Sequence, residues 1–344
     1  TTTLSSDPNP SVYGQEVTFT VTIDGVQTPS GTVTLKDGAN VLGTKDLATE
    51  GTTTEGTTTV IFEISSLSAG DHTITAEYSG DETYGYDPSS DSLTQTVNKA
   101  TTTVTITAVD PDSSVVGQPY EVRGMVTVEA PGSGTPTGTV VVDDGEGNTC
   151  AANLASHGTW SCILVSTSAG TKTLTAVYEG DENFEGSSST TNHTVNKRVT
   201  VTTVTGSETP LAVNVPAVFT VEVKDVSEGT PSVPTGTVEI SVSPAGAGTL
   251  STTTATLDES GRCTFTYTPT DGDTATHTVT VVYSGDSEHE GSTGSYDQAV
   301  IKRKVDMEIL LDPPTAYILQ PVTITVKVWD DTTEGTPEVP QGEV

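Results

Sequence analysis

The chain has 344 residues, 32% of them hydrophobic and only 5% aromatic, which supports several small cores rather than one large one. Its 46 acidic and 13 basic residues give a net charge of -33, a field that repels nucleic-acid phosphates and anionic lipid and so excludes nucleic acid as a partner. No apolar run approaches the ~20 residues of a spanning helix, so no membrane span is expected in this segment. Thr, Val, Gly, Ser and Pro crowd the sequence without a helical period, which predicts an all-β chain of short strands joined by turns.

The chain opens with TTTLSSDPNPSVYGQ, where Pro8 and Pro10 break an edge strand before QEVTFTVTID sets Val17, Phe19, Val21 and Ile23 on one face. Asp37-Gly38 then marks a turn inside TPSGTVTLKDGANVLG, and TTTVIFEI, LSAGDHTITAEY and SLTQTVNK follow as strands around an acidic loop. About seven strands result. The same order returns as PYEVRGMVTV, TPTGTVVVDDGEGN, TWSCILV, TLTAVYEGDENF and NHTVNK, and again as PAVFTVEV, VPTGTVEISV, GRCTFTYTP, TVTVVYSGDSEHEG and AVIK. The stretches AEYSGDETY, AVYEGDENF and VVYSGDSEH recur at a period of about 100 residues, the size of one β-sandwich. The predicted domains are 1–99, 100–197 and 198–303, with 304–344 an incomplete fourth repeat that supplies first strands only. In that remnant Val322, Ile324, Val326 and Val328 are expected to face inward, and the polypeptide is expected to continue beyond Val344 with the strands that cover them.

The phrases GQEVTFTVTI, TPTGTV, LSAGDHTITAEYSGD and TQTVNK, in fixed order, resemble the bacterial Ig-like repeats of large cell-surface proteins and adhesins, a type also found in archaeal surface proteins. The resemblance covers the whole chain. It implies tandem antiparallel Ig-like β-sandwiches, arranged as beads on a string outside the cell, and carries over no catalytic residues.

Cys150 and Cys162 flank a predicted hairpin turn around Ser156, a spacing that suits a cross-strand disulfide in an oxidising compartment. Cys263 alternates with Phe265 and Tyr267 and reads as a small core residue. His72, Lys172 and His277 are read at one outward strand position, and His289 in DSEHEG is read as part of a solvated loop. No nucleophile, base and orienting acid recur together, so no enzyme is predicted. DDGEGN from Asp143 fails as an EF-hand because the twelfth position is Leu154. Calcium is the one cofactor left open, in a looser site with Asp81, Glu82, Asp181, Glu182, Asp286 and Glu288 as candidate ligands. Asn192 opens the sequon Asn192-His193-Thr194 and is a glycosylation candidate.

Repetition without a reserved site predicts a non-enzymatic extracellular building block, a stalk, fibre or surface-layer segment of a larger cell-surface protein. Its partners would be other copies or further repeats of the same chain. Two alternatives remain: an adhesin segment whose loops at one domain end bind surface glycan or protein, and a spacer within a secreted enzyme. The exposed aromatics an adhesin would need are thin, with Tyr84 and Tyr86 the one pair, where the other loops have Phe184 and His289. The basic residues gathered at Lys99, Lys197, Arg198, Lys302, Arg303 and Lys304 predict ion pairs across the joints, with Lys197 and Arg198 facing the acidic loop around Asp286 and Glu288.

Overall fold

A computed structural model describes residues 1–332 and 337–342. The first repeat contains β1 (Thr2–Asp7), β2 (Ser11–Val12), β3 (Val17–Asp24), β4 (Thr32–Asp37), β5 (Asn40–Asp46), β6 (Thr52–Thr54), β7 (Thr57–Ile64), β8 (Gly70–Tyr78) and β9 (Ser89–Asn98). They form two sheets, ordered β1-β3-β7-β6 and β2-β9-β8-β4-β5, antiparallel except where β2 runs parallel to β9. The alternation in β3 makes the sandwich: Val17, Phe19, Val21 and Ile23 are all buried, while the intervening threonines face outward. The sequence shows no helical period, yet one helical turn, α1 (Leu47–Glu50), leaves β5. Asp46 caps it by accepting the Ala48 N–H at 2.8 Å, and Leu47 is buried beneath it.

The second repeat repeats the plan with β10 (Thr102–Asp110), β11 (Ser113–Val115), β12 (Pro119–Val128), β13 (Thr139–Asp143), β14 (Thr149–Asn153), β15 (Thr159–Val165), β16 (Gly170–Gly180) and β17 (Glu185–Asn196). Its sheets run β10-β12-β15 and β11-β17-β16-β13-β14. Its core exchanges volume between neighbours. Gly124 on β12 lies opposite Trp160 on β15, where the first and third repeats pair Val21 with Val60 and Val221 with Cys263. A Cβ on Gly124 would fall 2.3 Å from the indole, so the missing side chain is what admits the tryptophan.

The third repeat follows with β18 (Thr200–Thr205), β19 (Leu211–Ala212), β20 (Ala217–Asp225), β21 (Thr237–Ser243), β22 (Gly248–Leu250), β23 (Thr254–Thr256), β24 (Arg262–Pro269), β25 (Thr276–Tyr283) and β26 (Ser292–Ile301). Again one sheet, β18-β20-β24-β22, faces a five-stranded one, β19-β26-β25-β21-β23. Three separate apolar clusters, one per repeat, form the cores.

Beyond the third repeat, β27 (Val305–Asp312) and β28 (Thr323–Asp330) make an antiparallel pair. Of the four residues expected to face inward, three are uncovered here, with Val322, Ile324 and Val326 39%, 64% and 37% exposed, while Val328 is half-buried. Among the described residues no second sheet lies opposite this pair, so neither face is buried. The end of the expected next strand, at Glu343 and Val344, lies outside the described residues.

By contacts the chain divides into two units. One is Thr1–Ser113, Pro119–Ser166 and Thr171–Thr194; the other is Ser114–Gln118, Thr167–Gly170 and Val195–Val344.

Candidate functional site

The acidic loops after β8, β16 and β25 are the most regular polar feature of the molecule. Each strand ends in Tyr-x-Gly-Asp, and the glycine is required: at Gly80, Gly180 and Gly285 φ is 83°, 88° and 89°, and a Cβ would meet a main-chain oxygen 2.6 Å away. The turn thrown by the glycine aims the aspartate back at the loop before the fourth strand of its sandwich. Asp81 accepts the Ser30 N–H at 2.9 Å and the Ser30 hydroxyl at 2.7 Å on one oxygen, and the Thr83 N–H at 2.8 Å on the other. Asp181 likewise accepts the N–H and hydroxyl of Thr137 at 2.8 and 2.6 Å, and the N–H groups of Asn183 and Phe184 at 2.9 and 3.0 Å. Asp286 takes the N–H and hydroxyl of Thr235, both at 2.9 Å, and the N–H groups of Glu288 and His289 at 2.8 and 2.7 Å.

The tyrosine two residues before each glycine completes the arrangement. Tyr78, Tyr178 and Tyr283 donate to the carbonyls of Ser30, Thr137 and Thr235 at 2.6, 2.8 and 2.9 Å. One loop residue per repeat therefore has its N–H, hydroxyl and carbonyl all bound by a single Tyr-x-Gly-Asp turn. The electrostatics agree. Burial and then the Asp181 charge push the Tyr178 phenol up to about 12, so it remains a donor. Burial pushes the Asp181 carboxyl upward, but the bonds from Thr137, Asn183 and Phe184 outweigh it and hold the group below its ordinary range.

In the second and third repeats the same loops meet the residues that lead into the repeat. In the first unit the Ala100 N–H donates to Asn183 O and the Glu185 N–H to Ala100 O, both at 2.9 Å, while Lys99 Nζ donates to Asp181 O at 2.5 Å. There the Ala69 N–H also donates to Asn183 Oδ1 at 2.9 Å, and the Tyr13 and Phe184 rings meet edge-on with centroids 5.2 Å apart. In the second unit the Arg198 N–H donates to Glu288 O at 2.7 Å, and Lys197 Nζ to Asp286 O. The expected proximity of Lys197 and Arg198 to the Asp286 loop is there, but its chemistry differs. Lys99 and Lys197 bind main-chain carbonyls, whereas Lys302 and Lys304 pair with the carboxylates of Asp273 and Asp331, and the Arg198 guanidinium turns to Asp225, 2.5 Å from Nε, with both side chains 1% exposed.

A profile of the bacterial Ig-like domain (group 3) matches residues 4–98, 100–196 and 204–301. The chain belongs to the bacterial Ig-like domain family. Its three Ig-like repeats are thus tandem copies, with matched limits that lie close to the sheets described above. Among solved structures, invasin, a bacterial integrin-binding protein, is 15% identical over 91% of this chain and 62% of its own, with a TM-score of 0.40. The Escherichia coli adhesin FdeC is 17% identical over 87% of this chain and 96% of its own, with a TM-score of 0.27. A Salmonella alpha-2-macroglobulin is 11% identical over 90% of this chain, with a TM-score of 0.25, and this chain spans 24% of its length. Such likenesses carry no argument about function. No curated protein matches the chain.

Within the Ig-like repeats the candidate calcium ligands are not gathered. Asp81, Asp181 and Asp286 lie in three different repeats with their oxygens bound by protein donors, and Glu82 and Glu182 are exposed beside them while Glu288 is half-buried. Among the described residues no group of three or more His, Cys, Asp or Glu is placed to hold a metal ion. The sequence signal for this role was the repetition of Tyr-x-Gly-Asp with a Ser or Thr before the fourth strand, a pairing that composition does not reveal.

The histidine positions need correction. Lys172 and His277 are buried, not outward, because they share strand parity with the inward residues Leu174 and Val279 and the core face runs to the sheet end. His277 Nδ1 lies 2.6 Å from the Tyr267 hydroxyl, and burial holds the imidazole below its ordinary pKa. His72, at the equivalent place, is half-buried against Asp37 at 2.7 Å. His289 is no solvated loop residue: it is 2% exposed, with Nδ1 2.9 Å from Asp286 Oδ1 and Nε2 2.9 Å from the Ser232 hydroxyl. This is the contact order of a nucleophile, base and acid, in one repeat only. Tyr84 and Phe184 stand in its place in the others.

Cys150 and Cys162 form a disulfide with Cα atoms 5.9 Å apart. The expected hairpin is absent, since β14 and β15 belong to different sheets and the turn at Ser156–Gly158 carries the chain across. The bridge therefore joins two edge strands of opposing sheets. Closing so short a loop contributes about 2 to 3 kcal/mol in the chain-entropy account. Reduction by a thiol is accordingly expected to lower the unfolding transition of the second repeat alone, as followed by Trp160 fluorescence in a Trp329→Phe background, and an unchanged transition would remove that role. Cys263 is half-buried, and burial followed by the Asp258 charge pushes its thiol up and away from reactivity. Asn192 is exposed on β17, its Oδ1 accepting the Thr173 hydroxyl at 3.4 Å, while His193 beside it is buried on the Tyr120 ring.

Proposed function

We propose that the chain is a non-enzymatic extracellular segment whose Ig-like repeats are structural modules, in a stalk, fibre or surface layer, of a larger cell-surface protein. On this reading the modules are 1–99, 100–197 and 198–303, with the residues from 304 the first strands of a further repeat. The observation that carries it is the Tyr-x-Gly-Asp turn. In all three repeats the aspartate of the most acidic loop is engaged in fastening that loop to its own sandwich, which favours a shape-holding role over a ligand-holding one. Ser232 fits the same account, because its N–H is held by Asp225 at 2.9 Å and its hydroxyl bond to His289 ties two loops together. Exposed Asn192 is the place for a glycan.

An adhesin is the second reading, favoured by one observation: Tyr84 is 52% exposed at a loop tip, 6.5 Å from the Tyr86 ring. Three measurements on the intact chain separate the readings. Protease treatment of whole producing cells is expected to release its peptides, and their retention until lysis would sink the surface assignment. A panel of glycans and matrix proteins is expected to give no binding, whereas binding lost on Tyr84→Ala would establish the adhesin. A fluorophosphonate is expected to leave Ser232 unlabelled; labelling abolished by His289→Phe would establish an enzyme.

A further inference from the structure

We propose that one main-chain carbonyl in each repeat, the one just after the short parallel strand, is a socket that receives the leading end of the next repeat whatever side chain it carries. The inference concerns how a repeat meets its neighbour and holds whether the array spaces or binds. The socket residues are Tyr13, Val116 and Val213, which follow β2, β11 and β19. Each N–H is bound inward, to Asn98 O at 2.8 Å, Asn196 O at 3.0 Å and Ile301 O at 3.1 Å, so each carbonyl is left to turn away from the sandwich.

All three carbonyls accept a bond from the sequence that follows. Tyr13 O takes the Ser133 N–H at 3.2 Å, and the Ser133 hydroxyl binds the adjacent Gly14 O at 2.8 Å. Within the second unit Val116 O takes Arg198 Nη1 at 2.7 Å and Val213 O takes Arg303 Nη1 at 3.0 Å. The acceptor is constant while its side chain changes from Tyr to Val, which is how recognition of a backbone group should look.

The donors come in two forms. Where the leading residue is Ala100, the loop after β12 supplies Ser133. Where it is Arg198 or Arg303, the guanidinium supplies the bond after being fixed by an aspartate at the end of the second long strand. Asp225 holds Arg198 Nε at 2.5 Å and is itself held by the N–H groups of Ser227 and Ser232 at 2.8 and 2.9 Å. Asp330 holds Arg303 Nε at 2.6 Å and accepts the N–H groups of Thr332 and Glu338 at 2.9 and 3.0 Å. The planar guanidinium suits this task because it offers donors on two edges at once, one toward the carboxylate and one toward the carbonyl. A lysine offers a point charge without that fork. The partner such a socket fits is any repeat of this kind whose leading end carries Ser in the loop or the Arg-Asp pair.

The test is made on the full chain with Cys263→Val, keeping the Cys150–Cys162 disulfide, and nitroxides on cysteines placed at Asp297 and Lys327. Pulsed electron resonance reads the distance distribution between the third repeat and the strand pair after it. Arg303→Met is expected to widen the distribution at least twofold, and Val213→Ala to leave it unchanged because the carbonyl remains. A second label pair, at Glu308 and Thr325, reads the strand pair itself. An unchanged width in Arg303→Met overturns the proposal. So does equal widening in Val213→Ala, which would show that the side chain is what is read, and so does melting of the strand pair, which would make Arg303 a folding element of its own repeat.

Discussion

Replacing Asp225 with alanine is expected to cost the third repeat about 3 to 5 kcal/mol. The carboxylate and the Arg198 guanidinium are each 1% exposed, so removing the acid leaves a buried positive charge without its counter-charge. It also strips a partner from the Ser227 and Ser232 N–H groups. The pair need not be net stabilising for this to hold, because the loss measures an unpaired charge rather than the worth of the bridge. Two substitutions made together, Arg198→Met and Asp225→Leu, are therefore expected to cost less than Asp225→Ala alone. Hydrogen exchange resolved by peptide reads each repeat separately and should show faster exchange across β20 and β24 with the first repeat unchanged. If the single substitution proves no worse than the double, burial of the charge is not what makes this site sensitive.

How much of this the sequence showed depended on distance along the chain. The alternation of β3 and its copies was legible because strand burial has a period of two and each core is built from local runs. The aspartates of the three acidic loops were legible as a repeated motif but not in their role. Their partners Ser30, Thr137 and Thr235 lie 51, 44 and 51 residues away in sequence, and nothing local tells a loop carboxylate that binds protein N–H groups from one that awaits a cation. The disulfide partners were legible from spacing, whereas the strand geometry around them was not. A turn that changes sheets reads like a hairpin when only the intervening residues are seen. Lys172 and His277 show the opposite failure: parity placed them inward with Leu174 and Val279, and polar character suggested the wrong face. The joint arginines were visible as basic residues in an acidic chain, but the carbonyls they bind carry no signature in the sequence.

Asp181→Asn is expected to cost the second repeat about 2 to 4 kcal/mol and to flatten its stability in acid. An asparagine presents one acceptor oxygen where the carboxylate presents two, so it cannot serve the N–H and hydroxyl of Thr137 and the N–H groups of Asn183 and Phe184 together. The acid dependence follows from the direction of the carboxyl's pKa, which the folded state holds below its ordinary value of 3.8. The unfolded chain then binds this proton at a higher pH than the folded one. The stabilisation is fully present above the ordinary value, begins to fall as pH drops below it, and is gone once pH passes the folded value. Asp286, lowered in the same direction against its own burial by Thr235, Glu288 and His289, gives the third repeat a parallel dependence. Urea unfolding of the second repeat, followed by Trp160 fluorescence in a Trp329→Phe background between pH 7 and the acid limit of the fold, should therefore show a downward slope below about pH 4. That slope should be shallower in Asp181→Asn, while the third repeat, read by hydrogen exchange in the same variant, keeps its own. Equal slopes in wild type and variant would mean that the carboxylate is not what fastens the loop, and the structural reading of the Tyr-x-Gly-Asp turn would fall with it.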